Sequence, residues 1–158
     1  SMLEEYESVN HTEMQIHDVS EYIYEYTSGQ PFYVSAICKT IDEELSDSSD
    51  FKKWSRKGVK KSVDLILSNG NNYQNDIISK LKENPRLEEM LKAHIIKGQS
   101  FSSEDAYEDS IDQGKIFGII KVENGNMTIA NRIIQMLLSY NFISEEKMKL
   151  LKEDEIIW

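Results

Sequence analysis

The chain has 158 residues and a formal net charge of −10, from 28 acidic and 18 basic side chains. That length suits one ordinary domain or two small helical ones, and 39% hydrophobic with 29% charged residues excludes a disordered chain. No apolar run nears the roughly 20 residues that span a bilayer, and no basic-then-apolar leader opens the chain. The single cysteine, Cys38, excludes an internal disulfide framework and fits a reducing, cytoplasmic setting. The acidic balance repels phosphate backbones and anionic headgroups. A membrane is therefore not expected as a partner, and any nucleic-acid contact must rest on a local basic patch.

In chain order, Leu3 to Glu7 is an acidic segment that reads as the end of a helix, and Asn10-His11-Thr12 is a linker. Ser1-Met2 reads as the remnant of a cloning site, so a piece of a longer protein is expected. His11 and His17 lack the cysteines, carboxylates or fixed i,i+4 pairing of a metal site. Asp18 or Ser20 is expected to cap a helix carrying Val19, Ile23 and Tyr26 at helical spacing. Thr27-Ser28-Gly29-Gln30-Pro31 then breaks it. Gly29 can take a positive φ to end the helix, and Pro31, with no N–H, suits the first turn of the next. That second helix is expected to bury Phe32, Ile37, Ile41 and Leu45, with Cys38 beside Val34 and Ile37 as an inert thiol.

Ser46 to Asp50 is a polar loop. The stretch from Phe51 to Lys61 gathers Lys52, Lys53, Arg56, Lys57, Lys60 and Lys61 around Trp54, six of the 18 basic residues. Trp54 among cations offers a stacking platform for a base. The favoured reading buries Trp54 and Val59 at a helix start and leaves the lysines in solvent, facing Asp42-Glu43-Glu44. A helix from Gly58 to Leu67 follows, closed by Ser68-Asn69-Gly70-Asn71-Asn72, the expected boundary between two subdomains.

The second half predicts helices over 73–82, 86–97 and 103–113, the second ended by Gly98 and the third opened by a capping box at Ser102 or Ser103. Asn124-Gly125 between β-rich runs predicts a hairpin. A helix from Asn131 to Tyr140 and an amphipathic tail from Ser144 to Trp158 close the chain. The tail's apolar end fits a truncation or an oligomer contact. Three helices, a hairpin wing and a final helix make a winged helix. DNA readout by its third helix is not expected, because Glu104, Asp105, Glu108, Asp109 and Asp112 would face phosphates with no Arg or Lys among them. Those carboxylates could pair on a divalent cation, but no further ligand or sugar platform accompanies them, and a solvated acidic face is the simpler reading. His94 reads as a half-buried packing residue.

No catalytic constellation is visible. Gly114-Lys115 lacks the preceding glycine and following hydroxyl of a Walker A loop, and Gly-x-Ser-x-Gly is absent. The chain by itself is therefore not expected to be an enzyme.

Tyr26-Thr27-Ser28-Gly29-Gln30-Pro31-Phe32-Tyr33-Val34-Ser35-Ala36-Ile37-Cys38-Lys39-Thr40-Ile41-Asp42 resembles the helical lid of P-loop ATPases of the AAA+ and STAND type. Together with Lys53-Trp54-Ser55-Arg56-Lys57-Gly58-Val59 and Ile129-Ala130-Asn131-Arg132-Ile133, it is similar to predicted AAA-type ATPases of anaerobic bacteria, many fused to a restriction-endonuclease-like domain. The likeness covers roughly residues 14–143. It implies a mainly α chain: a helical lid over 1–70, a winged helix with one β-hairpin over 71–143, and a C-terminal tail over 144–158. It also implies that Gly29 and Pro31 pack on the adenine of ATP, which, with its magnesium, is held by a nucleotide-binding domain of the same parent chain. By analogy with the family, Arg132 could serve as an arginine finger. The winged helix would relay nucleotide state to a protein partner or downstream domain. The alternatives are a stand-alone acidic adaptor and a nucleic-acid binder acting through the 52–61 patch.

Overall fold

The computed structural model describes residues 2–10, 14–69, 72–101 and 108–157, with side chains at all of these except 72–73 and 154–157. Among them are eight helices and one two-stranded antiparallel sheet, so the chain is mainly α with a single β-hairpin. It divides into two compact units, Ser1–Asn71 and Asn72–Trp158.

The first unit holds α1 (Met2–Asn10), α2 (Ile16–Thr27), α3 (Pro31–Glu44) and α4 (Arg56–Asn69). α2 buries Val19, Ile23 and Tyr26, as its periodicity requires. Its start differs from expectation. Gln15 precedes the first turn with no side-chain cap, so Asp18 lies within that turn and Ser20 lies deeper in the helix. α3 buries Tyr33, Ile37, Ile41 and, just past its end, Leu45, whereas Phe32 is 48% exposed. Ile37 and Ile41 fix the inward stripe. The residue one turn before Ile37 is Tyr33, so Phe32 is rotated about 100° away from the core. α4 begins behind Ser55, whose hydroxyl accepts the Gly58 N–H at 3.2 Å, satisfying one of the amides that a helix start leaves without an internal partner.

The second unit holds α5 (Asn72–Glu83), α6 (Pro85–Lys97), α7 (Glu108–Ile116), β1 (Ile120–Glu123), β2 (Asn126–Ile129) and α8 (Arg132–Ile157). Ile77, Leu81, Leu87, Leu91, Ile119, Ile133, Ile134, Leu138 and Phe142 form its core. Gly98 stops α6 in the left-handed region at φ 68°, its N–H returning to the Ala93 carbonyl. The hairpin turns on Asn124 (φ 51°) and Gly125 (φ 77°), both positive as a two-residue type I′ turn requires, and pairs Ile120 with Ile129 and Glu123 with Asn126. Asn131 caps α8: its buried side-chain oxygen accepts the Ile134 N–H at 2.8 Å.

Three sequence expectations change here. The capping residues Ser102 and Ser103, with Glu104 and Asp105, lie outside the described residues. The helix they were expected to open runs past Gln113 to Ile116 and so contains Lys115. Gly114 lies inside this helix, and a Cβ there would stand 2.5 Å from the Ile120 side chain; glycine is what lets helix and strand pack so closely. The sequence also marks Ile116 to Val122 as the first β-rich run of the hairpin, but the strand starts only at Ile120, because α7 takes up Ile116. Lastly, the helix from 131 and the tail from Ser144 are one element, α8, since no Gly or Pro interrupts the chain after Asn131.

Candidate functional site

The corner between α2 and α3 is built from a few local bonds. Ser28 takes the left-handed conformation at φ 51°, its N–H reaching the Tyr24 carbonyl at 2.8 Å, and Gly29 follows at φ 78°. The sequence pointed to Gly29 alone; Ser28 shares the turn. Thr27 is fully buried. Its hydroxyl donates to the Ile23 carbonyl at 2.9 Å and accepts the Gly29 N–H at 3.1 Å, which locks the reversal from inside. Gln30 is extended, and its carbonyl accepts the Tyr33 and Val34 amides as α3 starts at Pro31.

Gly29 and Pro31 are both exposed. Two aromatic rings of the adjoining helices face solvent, Tyr24 of α2 at 62% and Phe32 of α3 at 48% exposure. The Tyr24 ring lies 3.3 Å from where a Gly29 Cβ would be, so a bare backbone edge backs directly onto that ring. Phe32 meets Tyr33 edge to face, with centroids 5.2 Å apart. A groove of about 170 Å³ runs beside Gly29 between Ile23, Thr27 and Val34. The corner thus offers aromatic and apolar surface that can pack against a flat ring.

The basic segment is dispersed. Trp54 is 5% exposed and packs on Tyr6 with centroids 4.8 Å apart, so its ring is not available to stack on a base. Tyr6 in turn hydrogen-bonds the Asp42 carboxylate. Partial burial, then the neighbouring Asp42, raise the Tyr6 pKa. Lys53 donates its backbone N–H to Asp47 at 2.8 Å and its ammonium to the Asp42 carbonyl at 3.2 Å. Arg56 binds Asp18 at 2.9 Å and lies over the Tyr22 ring, and the hydrogen bond to Asp18 raises its pKa further. Lys61 sits over Phe51, and Lys52, Lys57 and Lys60 are exposed.

Other residues of interest fall apart in space. Cys38 is half-buried, and burial pushes its thiol up to about 11, which leaves it a poor nucleophile at neutral pH. His17 is exposed, 4.0 Å from Glu21. His94 stacks on Phe101 at 4.1 Å, with Nδ1 2.7 Å from the Gln99 carbonyl. Glu108, Asp109, Asp112 and Arg132 are exposed. Among the described residues no three His, Cys, Asp or Glu side chains are grouped to hold a metal ion, and no helix is long and apolar enough to cross a membrane.

A charge cluster escaped sequence reading. Lys82 binds Glu88 at 3.1 Å and also Glu145, while Lys92 binds Glu145 at 3.2 Å. It joins α5, α6 and α8 across long stretches of sequence, and no local pattern announces it. Comparison with protein-family models, with curated proteins and with solved structures returns no match.

Proposed function

We propose that this chain is the helical lid and winged-helix portion of a cytoplasmic AAA-type ATPase, itself without catalytic residues. Its corner closes over adenine bound, with ATP and magnesium, by a nucleotide-binding domain of the same parent polypeptide. The observation that carries this reading is the exposed corner: Gly29 backed by the solvent-facing Tyr24 ring, Pro31 and Phe32 exposed at the start of α3, and a buried Thr27 holding the turn. A fixed, flat, apolar edge is what a purine face can pack against, and pre-ordering it lowers the entropy lost on closing. The winged-helix unit then transmits the closed state to a protein partner. Nucleic acid is not the proposed partner, because Trp54 is buried and both Lys53 and Arg56 are engaged with acidic residues or their backbone.

Two measurements test the reading. Immunoblotting of the source cells should reveal a polypeptide several times heavier than the 18.3 kDa of this chain. In that full-length protein, Tyr24→Ser, Phe32→Ser and Pro31→Ala should each weaken ATP affinity several-fold. Tyr24 and Phe32 are exposed, so the fold survives those two changes, and unchanged affinity would remove the lid assignment.

A further inference from the structure

α1 is lightly held. Of residues 2–10 only Leu3 is buried, while Met2 and Val9 are exposed. Its 9 residues are also fewer than the roughly 12 to 15 that an isolated helix needs to persist in water, so its helical form depends on its contacts. Its anchors are Leu3 and Tyr6. Met2 and Leu3 line the groove beside Gly29, and the same two side chains line a second groove, of about 280 Å³, with Tyr6, Cys38, Asp42 and Trp54. Tyr6 packs on Trp54 and hydrogen-bonds Asp42. Closure also has a cost. The Trp54 Nε1–H lies near the Tyr6 hydroxyl but is buried without a well-formed hydrogen bond, and a donor left in that state regains water when its cover moves away.

We infer that α1 is a strap, closed over Trp54 and Cys38, that opens as a unit while α2, α3 and α4 stay folded. Those three helices pack on one another pairwise and bury Val19, Ile23, Ile37, Ile41, Val59 and Val63, so they keep a core when α1 leaves. Opening uncovers the Trp54 ring and one side of Cys38. It also takes Met2 and Leu3 out of the wall of the groove beside Gly29, so the surface that the α2–α3 corner presents depends on the state of the strap. That link to nucleotide rests on the function proposed for the corner, whereas the opening itself does not.

Cys38 is the one cysteine of the chain and reports on the strap without a label. In the full 158-residue chain, Leu3→Ala should speed modification of Cys38 by an aromatic disulfide reagent at least about fivefold at neutral pH. Tyr6→Phe keeps the ring but gives up the bond to Asp42, and should speed it by a smaller factor. In both variants the rate should change little between 0 and about 1 M urea, because releasing α1 exposes little surface, whereas a route through unfolding of the whole unit climbs steeply with denaturant. Unchanged rates in both variants overturn the strap, since α1 then does not control access to what lies beneath it. Acceleration that climbs steeply with urea overturns it as well, because the whole unit, and not α1 alone, is then opening.

Discussion

The carbonyl oxygen of Lys53 lies 1.6 Å from where a Cβ on Gly58 would stand. Backbone meets backbone there, so a side chain at position 58 cannot be fitted by turning a rotamer. The segment carrying Trp54 into the core can cross the start of α4 only over a glycine. Gly58→Ala should therefore destabilise the first unit by about 1–3 kcal/mol, despite the better helix propensity of alanine. Urea denaturation measures this, and a midpoint equal to the wild type would show that the crossing relaxes freely.

Glu145 sits between Lys82 and Lys92. Burial pushes its carboxyl up, but the hydrogen bonds and charges of the two lysines outweigh burial and leave it below the usual 4.5. A depressed folded-state pKa means that the contribution is present above the unfolded value and is lost as pH falls through the folded one. All three side chains are partly exposed, so the effect is small. Glu145→Gln should cost about 0.5–1 kcal/mol at pH 7, and the difference from wild type should vanish as pH falls through the folded-state pKa, which lies below the usual 4.5. Thermal melts of both proteins across that range check it. A penalty that persists at low pH would show that packing, rather than charge, is what the substitution removes.

These two cases show where sequence reading ends. The hairpin was legible because Asn124-Gly125 determines its turn locally, and the helix break because Gly29 and Pro31 punctuate adjacent helices. Tyr33 was missed as a core residue in favour of Phe32, because a single helix has no absolute rotational origin until its neighbours are known. Lys82 and Glu145 are 63 residues apart, and Arg56 and Asp18 are 38 apart. Nothing in either local pattern singles out its partner. Gly58 looked like an ordinary helix start, because the carbonyl that requires it is brought over by a loop whose path no periodicity records.

The corner between α2 and α3 makes opposite predictions at adjacent positions. Thr27 is buried with its hydroxyl both donating and accepting. Thr27→Val keeps the shape but leaves the Gly29 N–H without that acceptor, at a cost of about 1–2 kcal/mol. Ser28 holds φ 51°, a conformation that glycine adopts without strain. Ser28→Gly should leave stability unchanged or raise it by up to about 1 kcal/mol. Paired denaturation curves decide, and a loss at Ser28 as large as that at Thr27 would mean the serine side chain, not its backbone angle, holds the turn.

Cys38 offers a test that needs no change of sequence. Burial carries its thiol to about 11 from a reference value of 9.0. The thiolate is the reacting form, so its fraction at pH 8 should fall by roughly a hundredfold relative to an open thiol. Modification by an aromatic disulfide reagent should be slow in the folded chain, should accelerate about tenfold for each unit of pH up to the folded pKa, and should become fast in denaturant. Reaction in the folded state at the rate of a free cysteine would mean that α3 opens to solvent around Cys38 on the timescale of the assay. The steep pH dependence distinguishes a suppressed thiolate from a merely shielded one, because a steric barrier slows reaction without raising the pH at which the rate levels off.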